Sequence, residues 1–211
     1  MNIAMPSQSE FWAGGFGDEY TEREHYTPRQ FDAIWETAVG TPRSKMYKDF
    51  IGSLDRNIKI LEVGANYGLQ LQLLQEMGFK NLYGLEINKS AIELAHKDVH
   101  DIYIMQGDAL DLPFKDNSFD LVFTSCFLIH IAPANRKQVM SEIRRVSKQY
   151  VLGYEFFAKE ETEINYRGNT NVLWKTDFRA LYQRNFPDLE LIKEEIYSKG
   201  TRTDGMFLLK K

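Results

Sequence analysis

Residues 58–68 read IKILEVGANYG, and the order of those letters decides the fold. IKILEV (58–63) is short, apolar and β-branched, which predicts a strand. GANYG (64–68) predicts a tight turn, and GLQLQLLQEM (68–77) a helix that Gly78 stops. The alternation continues downstream. NLYGLEI (81–87) predicts a second strand, and Asn88 caps a helix over KSAIELAHKDV (89–99). DIYIMQ (101–106) and FDLVFTS (119–125) predict the third and fourth strands. A helix from Pro133 to about 147 and a fifth strand, QYVLGYEFF (149–157), follow. WKTDFRALYQRNF (174–186) predicts a further helix. LELIKEEIY (189–197) and GMFLLKK (205–211) predict two closing strands joined by the turn SKGTRTDG (198–205). Strands alternating with helices imply parallel pairing through crossovers. The last two strands have no helix between them, so one should run antiparallel. The expectation is an α/β, Rossmann-like open sheet of about seven strands, mostly parallel with one antiparallel strand near the C-terminus and helices on both faces.

Upstream, residues 1–27 contain FWAGGFGDEY (11–20), rich in aromatics and glycine but without a clear period. They are read as an arm that packs on the main body. From Pro28, the residues Phe31, Ile34, Trp35 and Ala38 fall at helical spacing and read as packing residues, with Gly40 ending the helix. The chain divides into an arm and helix over 1–40 and a main domain over 41–211. At 211 residues it suits a single domain. Its 26 basic and 30 acidic residues leave a net charge of −4, which gives no electrostatic reason to expect nucleic acid. No run suits a membrane span. The opening MNIAMPSQSE lacks a leader pattern. A cytoplasmic protein is the expectation. Cys126 is the single cysteine and the four histidines are scattered, so no metal site is expected.

Three motifs end strands. Gly64 lets the backbone approach a ligand, Asn66 tolerates left-handed geometry, and the helix start at Gly68 offers N–H groups to an anion. The alternative is a generic strand–turn–helix corner. Glu86 stands 22 positions beyond Gly64 at the second strand's end. A carboxylate there suits the two hydroxyls of a ribose, although alone it reads equally as an exposed strand-end acid. In QGDALDLPFKDNSFDLVF (106–123), Asp108 suits an adenine amine and the Ala109 N–H a ring nitrogen. Asp120 reads as a turn or cap residue. A nucleoside would lie across the three tips.

EVGANYG, LEIN and GDALDLPFKDNSFDLVF together resemble the class I S-adenosylmethionine-dependent methyltransferases over residues 57–157. Asn66 stands where that family usually has glycine. A nicotinamide-binding G-x-G-x-x-G would need glycines at 66 and 69, where Asn66 and Leu69 stand. The resemblance implies S-adenosylmethionine as cofactor. Glu62, Gly64, Asn66, Gly68, Glu86, Ile87, Asp108, Ala109 and Ser125 are then the cofactor-binding positions. FWAGGFGDEYTER (11–23), FLIHI (127–131) and EINYRG (163–168) extend a narrower resemblance to the small methyltransferases associated with pseudaminic acid biosynthesis. Openings in that family usually read FWAGEFGDEY followed by Arg-Asn; here Gly15 replaces the acid and Glu24 follows Arg23. This implies a sugar or sugar-nucleotide acceptor from bacterial surface-glycan synthesis.

His130 then stands beside the expected methyl group, to take a proton or orient the acceptor; a buried structural histidine is the alternative. Tyr166 and Arg167 follow the fifth strand, and an arginine suits a carboxylate or phosphate. Glu155 reads as a catalytic acid or as Arg167's structural partner. Cys126 reads as packing rather than as a nucleophile. In the arm, Trp12, Phe16 and Tyr20 would exclude water as a lid, and Arg23 would pair with the methionine carboxylate. The alternative is an arm that covers the core or a second copy; the sequence does not give the oligomeric state. KEETE (159–163) reads as a solvated loop. A nucleoside-binding protein without turnover, and a methyltransferase for a non-sugar small molecule, are the competing functional readings.

Overall fold

The computed structural model describes residues 8–211; the first seven residues, including most of the opening read as leader-free and the start of the arm, lie outside the described residues. Nine strands form among the described residues: β1 Lys59–Val63, β2 Asn81–Glu86, β3 Ile102–Gln106, β4 Phe119–Ser125, β5 Ser147–Phe156, β6 Thr162–Glu163, β7 Trp174–Lys175, β8 Glu190–Lys199 and β9 Arg202–Lys210. Seven of them make one sheet in the order β3-β2-β1-β4-β5-β9-β8. β3 through β5 pair in parallel, and β9 runs antiparallel to both β5 and β8. The expected architecture therefore forms. The chain winds outward from β1 to β3 and restarts at β4 on the other side of β1. The crevice between β1 and β4 is the place where such sheets bind ligands.

Alternation along the strands sends side chains to two faces. Ile60, Leu121 and Phe123 pack in one apolar cluster, whereas Leu61, Val63 and Val122 pack in the other. Burial of central strands on both faces is the reason they read as continuous apolar runs rather than as alternating ones.

The helices are α1 Gln8–Ala13, α2 Gly15–Arg23, α3 Pro28–Val39, α4 Arg43–Ile51, α5 Leu69–Glu76, α6 Lys89–Asp98, α7 Pro133–Val146 and α8 Phe178–Asn185. α3 begins at a capping box between Thr27 and Gln30 and ends on Gly40 at φ +80°. The arm is helical rather than irregular. Gly14 separates two short helices, and Trp12, Phe16 and Tyr20 make edge-on ring contacts at 5.4 and 5.6 Å, so the aromatic spacing does carry a four-residue period. The expected helix over 174–186 starts only at Phe178, where Asp177 caps it, because Trp174 and Lys175 pair with β6 instead.

Candidate functional site

A cavity of about 400 Å³ opens at the carboxyl ends of β1 to β4, within the roughly 300–1,000 Å³ usual for small-ligand sites. Gly64 (φ +76°) and Asn66 (φ +47°) turn the chain away from β1. The Gly64 and Ala65 N–H groups both donate to the Leu85 carbonyl, at 2.9 and 3.0 Å, which ties this turn to β2. A Cβ on Gly64 would stand 2.2 Å from the Phe127 ring, so the close approach requires glycine.

Glu86 is the centre of the floor. Its Oε2 accepts the Asn66 N–H, and its Oε1 accepts those of Ile87 and Asn88, each at 2.8 Å. Burial pushes this carboxyl up, while the three N–H groups pull it down. An ionised carboxylate offers about four lone-pair sites, so three main-chain donors leave acceptor capacity toward the cavity. Asp108 accepts the Leu110 N–H on Oδ1 at 2.9 Å and the Ser9 hydroxyl on Oδ2 at 2.8 Å. Ile87 and Ala109 stand on the same wall. Glu62 is buried beside them with Oε2 lacking a hydrogen-bond partner. Burial and then Glu86 push its carboxyl well up, and Arg43 opposes them. An orphaned buried acceptor on a cavity wall suits a ligand that donates, such as an ammonium group.

The arm forms the roof. Ser9 reaches Asp108, the Gln8 side chain pairs with the main chain at His130 and Ala132, and the Trp12 ring centroid lies 4.4 Å from that of His130. Tyr20 lies on the wall, and burial pushes its phenol well up. His130 Nδ1 lies 2.8 Å from the Val172 carbonyl. A carbonyl only accepts, so Nδ1 carries the proton and Nε2 keeps the lone pair. Burial pulls this imidazole down to about 4, leaving it neutral at pH 7. Tyr166 is on the wall as well, its ring 5.8 Å from His130.

Beyond β4 a buried layer backs the wall. Arg43 is fully buried and stacks on Tyr154 (3.3 Å) and Trp35 (4.2 Å), and its Nη1 donates to Ser125 Oγ at 2.9 Å. Arg202 stacks on the other flank of this corner, 4.1 Å from the Trp35 centroid. Cys126 takes φ +52° and stands on the wall, with its thiol pushed up to about 12 by burial, which fits packing rather than attack.

Four expected site residues lie off the wall. Glu155 is 1 % exposed and turns inward, accepting the N–H groups of Phe127, Leu128 and Ile129; it anchors that turn and does not partner Arg167. Arg167 is exposed in the turn where Tyr166 bridges Asn169. Arg23 pairs with Glu24 at 3.2 Å and donates to the Tyr166 hydroxyl at 3.4 Å. Gly68, at φ +83°, sits behind the wall as the N-cap of α5, where a Cβ would stand 2.7 Å from Ile104. Conversely, Phe31, Ile34 and Trp35, expected only to pack, line the cavity, as does Arg202, which the sequence placed in a turn. Helical periodicity could not separate a core-facing stripe from one facing a cavity at the core's edge. Arg202 had no local signal, because what it meets is set by the pairing of β9.

Residues 61–151 match the family described as a methyltransferase domain. A demethylmenaquinone methyltransferase of Lactobacillus johnsonii is 36% identical over 87 residues, covering 38% of this chain and 35% of that protein. An uncharacterised protein of Haemophilus influenzae is 26% identical over 116 residues, covering 51% and 46%. The chain thus spans less than half the length of these curated relatives. Among solved structures, the magnesium protoporphyrin IX methyltransferase of Synechocystis with bound S-adenosylmethionine superposes with a TM-score of 0.70 at 12% identity, over 100% of both chains. Residues 61–151 are accordingly similar to a methyltransferase domain, and they lie within a Rossmann-like sheet.

Proposed function

We propose that the chain is a cytoplasmic enzyme that moves a methyl group from S-adenosylmethionine to a small acceptor. The observation that carries this reading is the single cavity holding Gly64, Glu86 and Asp108 together, with Glu86 fixed by three main-chain donors. The residues present fit the cofactor. Glu86 takes the ribose hydroxyls, Asp108 and the Ala109 N–H take the adenine edge, and Glu62 Oε2 takes the ammonium. Asn66, Ile87 and Ser125 complete the wall. When bound, the cofactor supplies a methyl carbon bonded to a positively charged sulfur, to be passed to an acceptor hydroxyl with the neutral thioether as the leaving group.

The protein's contribution is alignment and exclusion of water. Trp12 and Tyr20 close the roof as a lid. His130 Nε2 takes the hydrogen bond of the attacking hydroxyl and then its proton. Tyr166 borders the same space. The finer assignment is a sugar or sugar-nucleotide acceptor, as in pseudaminic acid biosynthesis. It is supported by the arm, FLIHI and EINYRG. The matched domain ends at residue 151 and leaves out the arm and EINYRG. The relative named for menaquinone is matched over only 38% of this chain and so bears little on the acceptor.

Calorimetry with S-adenosylmethionine, followed by detection of S-adenosylhomocysteine with candidate nucleotide sugars, tests the reading. Saturable binding and acceptor-dependent product are expected; binding without turnover on any acceptor favours a nucleoside-binding role. His130→Ala is expected to lower turnover by about a hundredfold, the scale of a positioned proton acceptor. Cofactor affinity should stay within about twofold, because no proposed cofactor contact passes through Nε2. Wild-type turnover in the variant would leave His130 as support for Trp12 only.

A further inference from the structure

We infer that Arg202 forms a subsite for a carboxylate or phosphate carried by the methyl acceptor, an assignment that rests on the methyl-transfer reading. Among the described residues, Arg202 is the one lysine or arginine on the cavity wall. Its Nε donates to Asp204 Oδ2 at 2.7 Å, and Tyr154 holds that same oxygen at 2.6 Å. The guanidinium carbon also lies 4.1 Å from the Trp35 centroid and 4.7 Å from that of Phe156. These contacts hold the group in place and leave the two terminal nitrogens without a hydrogen-bond partner among the described residues. A pre-oriented fork with free donors is what a two-oxygen anion recognises.

The position separates this anion from the cofactor's own. β9 lies two strands beyond β4 in the sheet, on the order of 10 Å at the usual spacing. The proposed cofactor contacts run the other way, from β4 to β3. The acidic groups there, Glu62, Glu86 and Asp108, face the cofactor rather than Arg202. Around Arg202 the wall is aromatic and aliphatic, with Phe31, Ile34 and Trp35 from α3. The chamber therefore suits an acceptor that carries an anionic group at the end away from the methyl.

The test uses paired probes of one shape: benzoate, phenyl phosphate and neutral benzamide, titrated calorimetrically into protein saturated with S-adenosylhomocysteine. At least one anion should bind about tenfold or more tightly than benzamide, as expected for charge-assisted bonds. Whichever anion is tighter identifies the group. Arg202→Gln should erase the preference and Arg202→Lys, which keeps the Asp204 pair, should retain part of it. The affinity for S-adenosylhomocysteine should stay within twofold in both. Equal binding of anion and amide by the wild type, no saturable anion binding, or a preference that survives in Arg202→Gln overturns the assignment. So does a tenfold loss of S-adenosylhomocysteine affinity in Arg202→Gln with 5′-methylthioadenosine unaffected, which would give Arg202 to the cofactor carboxylate. Failure of the wild type to bind S-adenosylhomocysteine would sink the methyl-transfer reading instead. The anion preference, measured without that ligand, would still report on Arg202.

Discussion

Glu86→Ala is expected to weaken S-adenosylmethionine binding by about a hundredfold, roughly 3 kcal/mol. The figure is the upper end of the range, about 1.5–3 kcal/mol, for a hydrogen bond to a charged partner, since three main-chain donors leave about one of the carboxylate's roughly four lone-pair sites for the ribose. The carboxylate is already oriented by Asn66, Ile87 and Asn88, so little ordering cost offsets that bond when ligand binds. The same variant strips three main-chain N–H groups of their acceptor. Some loss of stability is therefore expected, reduced where water from the cavity replaces the carboxylate. Glu86→Gln separates the two effects. Its amide oxygen still accepts on one side of the turn, but its NH2 faces a main-chain donor on the other and it carries no charge, so affinity should fall by about tenfold with a smaller loss of stability than in Glu86→Ala. Calorimetry on both variants, with urea unfolding as the control for folding, decides the matter. Unchanged cofactor affinity in a folded Glu86→Ala would remove Glu86 from the ribose role.

The half of the site built from strand tips was legible in the sequence because its geometry is local. Gly64 and Glu86 end adjacent parallel strands, and strand register carries their spacing into space: Val63 pairs with Leu85, and Glu86 with Gln106. The five parallel strands were legible for the same reason, since burial on both faces leaves uninterrupted apolar runs. Contacts between distant segments were not legible. Glu155 follows an apolar strand like a strand-tip acid, but its carboxylate points inward because Phe127–Ile129 present three free N–H groups to it. Arg202 was hidden for the converse reason. The segment SKGTRTDG has the composition of a turn, yet β8 and β9 continue pairing to Lys199 and Arg202. That tight hairpin delivers an arginine to the end of the cavity lined by α3 and β5.

Glu155→Gln is expected to change how stability depends on pH by about 3 kcal/mol between pH 4.5 and 7. Burial pushes the Glu155 carboxyl up to about 7 from an ordinary 4.5. A raised folded-state value means that the native state holds the proton more tightly than the unfolded chain. Its contribution is then fully present below pH 4.5 and lost as pH rises through 7. His130 does the reverse. Its imidazole is pulled from 6.5 down to about 4, so its contribution is present above pH 6.5 and lost as pH falls through 4. The two windows overlap with opposite signs, and in the wild type they largely offset each other. Removing Glu155 exposes the histidine alone: urea unfolding of Glu155→Gln should show stability falling as the pH is lowered from 7 to 4. His130→Gln should show the opposite slope, with stability falling as the pH is raised from 4.5 to 7. Because His130 directly follows the turn that Glu155 anchors, the double variant is needed to detect coupling between them. A stability change in the double variant that equals the sum of the two single changes at each pH would mean that the two groups act independently. Stability curves of wild type and Glu155→Gln that run parallel from pH 4 to 8 would show that the buried carboxyl keeps the same proton affinity folded and unfolded.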